Sequence, residues 1–441
     1  MRTTIDPLVR QVRAFCGKHD MLPQGGTVLC AVSGGRDSMA LLHLLGVLGA
    51  EEGFQVAAAH FNHRLRPAAD RDEAFVRSWC AGRGIPLFCG SGDVSAFARE
   101  TGRSVEDAAR ELRYRFLEEA AEDLGADRIA AAHHREDNAE TVLLHLLRGA
   151  ALQGLGGIPP VRGRIVRPLL ETAREDIDQY IRRHSIPFVE DETNSDTAFT
   201  RNRLRLEVLP VLEELFPGCG ARLAGTAGLL REENGHLQRE AEALLPRTGT
   251  AVPAALLEAQ DRTMGRRLAE ALGARLGASL DRRQVEAVLD LGSGGHLDLG
   301  GGLYAVRRSG ALVLGRKEVP PPPLELREGV QRWGPWSVAV RRGTGAPPER
   351  AGAVLRGDLE GALTIAAWDG RGRLAVANGS RTIKRLLAGR GVPVDRRGEH
   401  PVLLRAGRTV AVLDVAVDWE LLPVEGGPWV AVDISREEES G

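Results

Sequence analysis

Residues 27–50, TVLCAVSGGRDSMALLHLLGVLGA, contain the pattern that decides the fold. The apolar run at 27–32 is typical of a short buried strand, and the spacing of apolar residues from Ser38 onwards predicts a helix. Between them, SGGRDS at 33–38 is a glycine-rich turn. Glycine lets the backbone turn tightly and approach a ligand, while the unpaired N–H groups of a first helical turn attract an anion. The stretch therefore predicts a strand, a phosphate-binding turn and a helix.

The same alternation of strand and helix continues along the chain. Further predicted strands are FQVAAAH (54–60), IPLFCG (85–90) and DRIAAAHH (127–134), and further predicted helices cover 70–83, 104–124 and 136–148. This alternation indicates an α/β fold with a doubly wound parallel sheet that has helices on both faces. Because ligands bind such sheets beyond the carboxyl ends of the strands, we expect the functional side chains to gather at that edge.

The chain after residue 215 has a different character. Residues 220–290 are rich in Ala, Leu, Arg and Glu and predict helices, whereas the proline run at 320–323 favours an extended linker. The remainder places short β-prone runs around one helical patch at 381–389, which predicts a small α+β domain. The predicted organisation is a catalytic domain, a helical domain, a linker and a C-terminal α+β domain, at 1–215, 216–318, 319–345 and 346–441.

Composition excludes several classes of protein. The 441 residues include 58 Lys and Arg against 60 Asp and Glu, so the net charge of −2 excludes a histone-like polycation and an acidic disordered tail. Five cysteines without a C-x-x-C pair predict neither a disulfide framework nor a zinc or iron–sulfur site, which favours a reducing cytoplasm. No segment approaches about 20 uninterrupted apolar residues, and the N-terminus lacks the apolar core of a signal peptide, so we expect no membrane span.

The SGGRDS turn differs from two common phosphate-binding motifs. It is neither the nucleoside triphosphatase P-loop, because no lysine follows, nor G-x-G-x-x-G. It resembles the SGGxDS pyrophosphate loop of the N-type ATP pyrophosphatases, enzymes that cleave ATP between its α and β phosphates. The resemblance implies that the chain uses ATP. The implied ATP-binding residues are Ser33, Gly34, Gly35, Arg36, Asp37, Ser38 and His60.

Residues 131–158, AAHHREDNAETVLLHLLRGAALQGLGGI, combine two histidines, an acidic helix and a glycine-rich loop. Asp137 and Glu140 are three residues apart and share one helix face, where carboxylates can hold Mg²⁺ on a polyphosphate. The alternative is an N-capped helix with solvated acids. The order HHxxDxxET followed by Arg148-Gly149 closely resembles the tRNA(Ile)-lysidine synthetase family.

Other segments follow the order of that family. His60 to Arg66 resembles its H-x-x-H-x-x-R stretch beside the adenine, with Arg64 where glycine is usual, although two loop histidines could also be merely solvated. Residues 106–114 resemble its E-x-x-A-R-x-x-R-Y helix, and 199–205 resemble a later arginine-rich segment. A generic charged surface helix is the alternative for both of these.

Residues 371–412 carry ten Lys or Arg against two acids, a local charge of +8 inside a nearly neutral chain. Such a segment is an electrostatic footprint for phosphates, a solvated basic face being the alternative. Its core at 379–397 resembles the C-terminal domain of the lysidine synthetases. Over the whole chain, the implied tRNA-binding residues are Arg66, Arg148, Arg201, Asn202, Arg203, Arg205, Arg381, Lys384, Arg385, Arg396 and Arg397.

The resemblance implies an ATP-dependent ligase that joins free L-lysine to C2 of the wobble cytidine of a CAU-anticodon tRNA(Ile), through an adenylated cytidine. It implies ATP and Mg²⁺ as cofactors and a cytoplasmic location, and it leaves the oligomeric state open, a homodimer included. The implied catalytic residues are Asp37, Arg113, His134, Asp137 and Glu140. Of these, Asp37 and Glu140 would hold the metal.

Two other functions stay open. Another adenylating enzyme of the same superfamily, such as a tRNA thiolase or an amidotransferase, would carry catalytic cysteines, cluster ligands or a glutaminase domain. A tRNA-binding protein that has lost catalysis would have a decayed SGGxDS loop. The sequence has an intact loop and none of the marks of the other adenylating enzymes, which favours lysidine formation.

Overall fold

The computed structural model divides the chain into two compact units, Met1–His236 and Leu237–Gly441. Each unit has hydrophobic cores of its own. The residues that the structure describes are 6–64, 69–190, 200–308, 310–317, 319–359, 361–377 and 379–436.

The first unit is built on a six-stranded sheet. Its strands are β1 (Thr27–Ala31), β2 (Gln55–Asn62), β3 (Leu87–Ser91), β4 (Arg128–Ala130), β5 (Val161–Arg162) and β6 (Ile165–Val166), in the spatial order β3-β2-β1-β4-β6-β5. β1 pairs in parallel with β2 on one side and β4 on the other, so Cys30 lies between Ala58 and Ala130. Because the strand order reverses at β1, its carboxyl end is the topological switch point where such sheets bind ligands.

One helix precedes these strands, and the others lie between the strands or follow them. They are α1 (Pro7–Lys18), α2 (Arg36–Glu52), α3 (Ala69–Ala81), α4 (Val94–Thr101), α5 (Val105–Leu124), α6 (Arg135–Leu147), α7 (Leu152–Leu155), α8 (Arg174–His184), α9 (Thr200–Arg203), α10 (Leu209–Leu215) and α11 (Cys219–Leu244), with a π-helical turn at Leu204–Val208. Leu41, Leu44 and Leu48 lie on one face of α2 at helical spacing and are fully buried. That apolar face packs α2 into the core of the first unit.

The sheet and its helices confirm the predicted doubly wound α/β fold. The helices predicted at 70–83, 104–124 and 136–148 are α3, α5 and α6, with ends within two residues of the prediction. The strand predicted over 127–134 contains only three residues, because the chain leaves the sheet before the two histidines. The sequence did not predict α4 or the antiparallel β5–β6 hairpin, which are too short to carry a clear periodicity.

The segment after α11 contains both helices and a sheet. The helices α12 (Ala254–Glu258), α13 (Arg262–Arg275) and α14 (Arg282–Leu289) accompany the strands β7 (Ala251–Pro253), β8 (His296–Gly300), β9 (Leu303–Arg308) and β10 (Ala311–Arg316). These strands form one sheet in the order β7-β10-β9-β8. The prediction of an entirely helical domain over 216–318 is therefore wrong for the strands. The missed signal is the alternation in β10, where Leu312 and Leu314 are buried between more exposed residues.

The remainder is the predicted α+β arrangement. It contains β11 (Leu324–Glu325), β12 (Gly329–Trp333), β13 (Trp336–Thr344), β14 (Ala353–Arg356), β15 (Leu363–Ala367), β16 (Arg373–Val376), β17 (Gly379–Thr382), α15 (Ile383–Gly389), β18 (Pro401–Arg405), β19 (Arg408–Val412), β20 (Ala416–Val417) and β21 (Pro428–Arg436), with 3₁₀ turns at Val394–Glu399 and Trp419–Leu421. Two larger sheets have the orders β11-β15-β18-β19-β20 and β12-β13-β21-β14, and β16 pairs with β17.

The prediction of a linker over 319–345 is wrong beyond the proline run. Residues 320–323 lie outside helix and strand, but β11, β12 and β13 follow them directly. β13 pairs with β21 along its whole length, from Trp336 to Thr344. Trp333, Val338 and Val340 are buried in the C-terminal core, so apolar burial makes this segment part of the domain.

Two predictions from composition can be compared with the structure. All five cysteines are free thiols in the structure. Among the residues that the structure describes, no helix is both long enough and apolar enough to cross a membrane.

Candidate nucleotide-binding site

A cavity of about 670 Å³ opens at the switch point of the first sheet. Its walls include the carboxyl ends of β1, β2 and β4, together with the start of α2 and the middle of α5. Of the predicted ATP-binding and catalytic residues, it brings together Ser33, Gly35, Arg36, Asp37, Ser38, His60 and Arg113. The edge of the sheet that the sequence predicted for the site is therefore the edge that carries the cavity.

The SGGRDS turn is held by hydrogen bonds among its own residues. The Ser33 N–H donates to Ser38 Oγ at 3.2 Å, the Gly35 N–H donates to Ser33 Oγ at 3.2 Å, and Ser38 Oγ donates to the Gly35 carbonyl at 2.8 Å. Gly34 has a φ of +89°, a conformation that favours glycine, and its carbonyl accepts from the Val189 N–H at 2.9 Å. The turn is thus shaped for a ligand before any ligand binds.

Asp37 lies in the first turn of α2 and lines the cavity. Its Oδ1 is buried and has no hydrogen-bond partner, an arrangement that is uncommon for a carboxylate. Burial raises the pKa of Asp37 above its ordinary value, although the nearby His134 opposes this effect. A bound cation would satisfy the unpartnered oxygen, so Asp37 fits the predicted role of Mg²⁺ ligand.

His134 caps α6 and lies close to Asp37. Its N–H donates to Asp137 Oδ2 at 3.0 Å, its Nδ1 is 3.0 Å from Glu136 Oε2, and its Nε2 is 3.8 Å from Asp37 Oδ2. Burial alone would lower the pKa of His134, but the hydrogen bond with Glu136 and the charges of Asp137 and Asp37 raise it above the ordinary value. His134 is therefore a buried imidazole whose protonated form is favoured by the neighbouring carboxylates of Glu136, Asp137 and Asp37.

Glu140 and Asp137 are neutralised by Arg205. The Arg205 Nε donates to Glu140 Oε1 at 2.6 Å, and its Nη2 donates to Glu140 Oε2 at 3.1 Å and to Asp137 Oδ1 at 2.8 Å. Because both Glu140 oxygens accept from Arg205, Glu140 as arranged does not fit the predicted role of metal ligand. Arg205, which the sequence assigned to tRNA, instead lies beside the buried acids of α6.

Tyr114 lies between the switch-point cavity and a second cavity of similar size. Arg113 lines the first cavity, Arg110 lines the second, and Tyr114 lines both. Burial raises the pKa of Tyr114, but the cations Arg110, Arg113 and Arg167 outweigh it and lower the pKa below its ordinary value. Among the residues that the structure describes, Arg113 forms no ion pair with a carboxylate, so its charge is available to an anion in the cavity.

The His60 segment has the position that the sequence predicted. His60 is buried at the end of β2, with Nδ1 2.8 Å from the Val32 carbonyl, and burial lowers its pKa. Arg64 has a φ of +51°, which explains why glycine is usual there, and its N–H donates to Asn62 Oδ1 at 3.0 Å. Arg66 lies outside the described residues.

The other residues predicted to bind tRNA have different surroundings. Arg201 forms an ion pair with Glu106, and Arg203 forms one with Glu207. Asn202 is half-buried, and Arg148 is exposed at the end of α6. The exposed members of the C-terminal group are Arg381, Lys384, Arg385 and Arg396, whereas Arg397 is half-buried. The Arg397 Nε donates to the Val392 carbonyl at 2.9 Å, so this side chain is bound to the backbone of its own segment.

Several residues at the site were not among the predicted ones. Tyr114 lines both cavities, Arg174 and Glu190 line the first, and Glu136 joins α6 to α8 by accepting from the Arg174 N–H at 3.0 Å. The sequence offered one signal for Glu136, its place directly after the two histidines at the start of a helix. Arg174 and Glu190 come from segments far along the chain, and no local sequence pattern indicates that they line the cavity.

A parallel sheet whose first strand passes through SGGRDS into a helix, with a cavity at the switch point, defines a PP-loop nucleotide-binding domain. Residues 6–212 match the family model for a PP-loop domain, and residues 363–430 match the model for a TilS substrate C-terminal domain. The chain is 34% identical over 430 residues to the tRNA(Ile)-lysidine synthase of Geobacter sulfurreducens, and this match covers 91% of each protein. The chain therefore belongs to the tRNA(Ile)-lysidine synthase family.

Other relatives agree with this assignment. The tRNA(Ile)-lysidine synthase of Thermus thermophilus is 43% identical over 339 residues, which cover 75% of this chain and 64% of that protein. Among solved structures, the U34-tRNA thiolase NcsA from Methanococcus maripaludis is 16% identical, with a TM-score of 0.44 over 51% of this chain and 78% of the thiolase. The family assignment rests on the sequence relatives.

Proposed function

We propose that this chain is a ligase that forms lysidine: it joins free L-lysine to C2 of the wobble cytidine of CAU-anticodon tRNA(Ile) and uses ATP. The observation that carries the proposal is the intact SGGRDS turn at a cavity that also holds Asp37 and Arg113. The turn supplies N–H and hydroxyl donors for phosphate oxygens, Asp37 supplies a carboxylate for a cation, and Arg113 supplies a positive charge. These are the groups that phosphate activation requires.

The reaction has two steps that balance without any further reactant. The C2 carbonyl oxygen of the cytidine attacks the α-phosphate of ATP, the bond to the β-phosphate breaks, and pyrophosphate leaves. The ε-amine of lysine then attacks C2 of the adenylated cytidine, AMP leaves with the oxygen, and the amine loses a proton. Negative charge gathers around the α and β phosphates in the first step, which is where Arg113 and the turn are placed to stabilise it.

Mg²⁺ would shield the phosphates and stabilise the leaving pyrophosphate when bound. Asp37 is the residue that would hold it, since its Oδ1 lacks a partner. The proposed metal role of Glu140 requires Arg205 to leave both Glu140 oxygens first. Asp137 accepts a hydrogen bond from the His134 backbone N–H and so fixes the start of α6. In this arrangement His134 Nε2 lies 3.8 Å from Asp37 Oδ2. This contact supports a role for the pair in orienting Asp37.

The substrate RNA presents its wobble base in a single-stranded loop, where a base can leave the stack and enter a cavity. We assign the exposed C-terminal cations Arg381, Lys384, Arg385 and Arg396 to the RNA phosphates, because unpaired surface cations bind a polyanion through counterion release. ATP, lysine and tRNA meet in the cytoplasm, which is where we propose that the chain acts.

The decisive experiment incubates the protein with ATP, Mg²⁺, labelled lysine and a CAU-anticodon tRNA(Ile) transcript. We expect label in the RNA together with AMP and pyrophosphate, and no label in a matched transcript whose wobble base is uridine. Pyrophosphate release without lysine incorporation would identify another adenylating enzyme of the superfamily. Binding of tRNA with neither product would identify a protein that has lost catalysis.

A further inference from the structure

His133 is a half-buried histidine in the wall of the switch-point cavity. It comes three residues after the end of β4 and directly before His134. Its Nδ1 is buried and has no hydrogen-bond partner among the residues that the structure describes. Because a buried polar atom without a partner costs free energy, such atoms are uncommon in folded proteins. An unpartnered nitrogen in the wall of a binding cavity points to a group that a ligand satisfies.

The two walls of this cavity lie on opposite faces of the sheet. In β1, Cys30 packs in the core that contains α2, whereas its neighbour Leu29 packs in the core that contains α5. The cavity therefore opens between the SGGRDS turn, at the start of α2, and the middle of α5. His133 belongs to the α5 wall, since the charges of Arg110 and Arg113 on that helix act on its imidazole.

The same wall is where the attacking base of the proposed reaction would bind. In phosphoryl transfer the attacking oxygen and the leaving group lie roughly in line, on opposite sides of the phosphorus. The SGGRDS turn supplies donors for the leaving pyrophosphate, so the base approaches from the α5 wall. The side chains that this wall presents are Arg113, Tyr114, Leu117 and His133. His133 is thus among the few side chains that can contact the edge of the base.

Cytosine and uracil differ in the group on C4. Cytosine has an amino group there, which donates hydrogen bonds, whereas the oxygen of uracil accepts them. Recognition of cytosine therefore requires an acceptor, and the guanidinium of Arg113 has only donors. Burial lowers the pKa of His133 to about 3, with Asp137 opposing this effect and the nearby arginines adding to it. The imidazole is therefore neutral at physiological pH and keeps one acceptor nitrogen.

We propose that His133 determines specificity for cytidine, because its Nδ1 accepts a hydrogen bond from the 4-amino group of the wobble base. The inference rests on the proposed function, which brings that base into the cavity. A wobble uridine would place its 4-oxygen against the same lone pair, and neither atom would have a donor. A base with only hydrogen on C4 would leave Nδ1 as unpartnered as it is in the free protein.

The test uses two CAU-anticodon tRNA(Ile) transcripts that differ only at C4 of the wobble base. One carries cytidine, and the other carries the pyrimidin-2-one ribonucleoside, which keeps the C2 oxygen but lacks the 4-amino group. The measured quantity is the ratio of kcat/KM for lysine incorporation with the two transcripts. His133→Leu should lower this ratio about thirtyfold relative to the wild type. Differences in the intrinsic reactivity of the two bases cancel, because every protein is given the same pair.

Two further variants show whether the acceptor is what matters. Asparagine has nearly the shape of leucine but carries an amide oxygen that accepts hydrogen bonds, so His133→Asn should keep most of the wild-type ratio. His236→Leu, at an exposed position of α11, is the matched control and should leave both the ratio and the rate unchanged. Equal ratios in His133→Asn and His133→Leu would overturn the proposal.

A purely structural role for His133 gives a different result. In that case His133→Leu would lower kcat/KM equally with both transcripts and leave their ratio at the wild-type value, which also overturns the proposal. Urea unfolding of each variant identifies a loss of fold separately. No lysine incorporation by the wild type with the cytidine transcript would refute the proposed function, and this inference with it. An unchanged ratio in His133→Leu, measured beside an active wild type, would refute the role of His133 alone.

Discussion

The PP-loop cavity and the C-terminal basic face differ in how far their charged side chains are buried. The basic face consists of the exposed residues Arg381, Lys384, Arg385 and Arg396. Asp37 at the cavity is half-buried, and the nearby His134 and Glu140 are buried beside Glu136 and Arg205. On the C-terminal face, the described cations Lys384 and Arg385 are exposed and have no carboxylate partner. A buried charge needs a partner and is therefore held in one place, whereas an exposed charge costs little and stays mobile.

This difference separates two tasks. Activation of a phosphate requires groups at fixed distances from the reacting atoms, which the packed switch point supplies. Attraction of a long polyanion requires only charge density, which a solvated helix and hairpin supply. Substitutions at the cavity should therefore change the rate of the reaction or the stability of the fold, and substitutions on the basic face should change the affinity for RNA.

The largest expected effect is at Asp37. Asp37→Asn keeps the shape of the side chain but removes the charge that would hold Mg²⁺, so lysidine formation should fall by about a thousandfold. The affinity for tRNA should stay within a few fold, because we assign the RNA phosphates to the C-terminal cations. Labelled lysine incorporation and filter binding measure the two quantities. Asp123→Asn, at an exposed position of α5, is the matched control and should behave as the wild type; loss of tRNA binding by Asp37→Asn would erase the distinction between the two regions.

The next effect tests the packing behind the cavity. A Cβ on Gly157 would lie 2.2 Å from Asn138 Oδ1 and 2.9 Å from Val142 Cγ2, and Gly157 has a φ of +64°. Gly157→Ala should therefore lower the free energy of unfolding by about 2–4 kcal/mol. Gly149 has a φ of +75° but open space around it, so Gly149→Ala should cost only about 1 kcal/mol. Urea unfolding measures both, and equal losses would contradict the packing argument.

A smaller effect is expected on the basic face. The double substitution Lys384→Ala with Arg385→Ala should weaken tRNA binding about tenfold and reduce the slope of log affinity against log salt by about 2. The value of kcat at saturating tRNA should not change. The control is Arg341→Ala with Arg356→Ala, which removes two cations of the same domain that are already paired with Asp433 and Asp358. A fall in kcat would show that this face does more than attract phosphates. An unchanged salt slope would show that it does not bind them.

The smallest effect is a pH dependence at the two adjacent histidines. The pKa of His134 is raised, so its stabilising contribution is complete below the ordinary value of 6.5 and is lost as pH rises through the folded value. Burial and the cations Arg167 and Arg113 lower the pKa of His133, so its contribution is complete above 6.5 and is lost as pH falls.

Unfolding free energies at about pH 5.5 and about pH 8.5 test this contrast. His134→Gln should destabilise the protein more at the lower pH, whereas His133→Gln should destabilise it more at the higher pH. Each variant is the control for the other, since the substitutions are identical and the positions adjoin. The same trend in both variants would contradict the opposite directions of the two pKa shifts.

The local sequence predicted the first unit well and the middle of the chain poorly. The strands and helices around SGGRDS have strong periodicity, and their ends were predicted within a few residues. The sheet of β7 to β10 was missed because its strands are three to six residues long and follow a segment whose composition favours helices. β12 was missed, and β13, whose run WSVAV at 336–340 is β-prone, was assigned to a linker because of the proline run before it.

Some features of the candidate site could also be predicted from the sequence, whereas others could not. The turn could be placed from the strand–turn–helix pattern of the sequence, and the roles of Asp37, His60 and Arg113 followed from the resemblance to the lysidine synthetases and their superfamily. The neutralisation of Glu140 by Arg205 could not, because 65 residues separate the two. The sequence pattern described Arg205 correctly as a cation and Glu140 as a carboxylate near a ligand, but nothing local indicated that they meet.

The sequence by itself determined the strand–turn–helix order, the phosphate-binding turn and the concentration of positive charge in 371–412. These features depend on backbone preferences and on charge, which neighbouring residues express on their own. Only the tertiary structure decided that Asp37 keeps an unpartnered oxygen and that Arg205 pairs with Glu140 and Asp137. Such contacts join residues far apart in the chain, and they depend on how the elements pack.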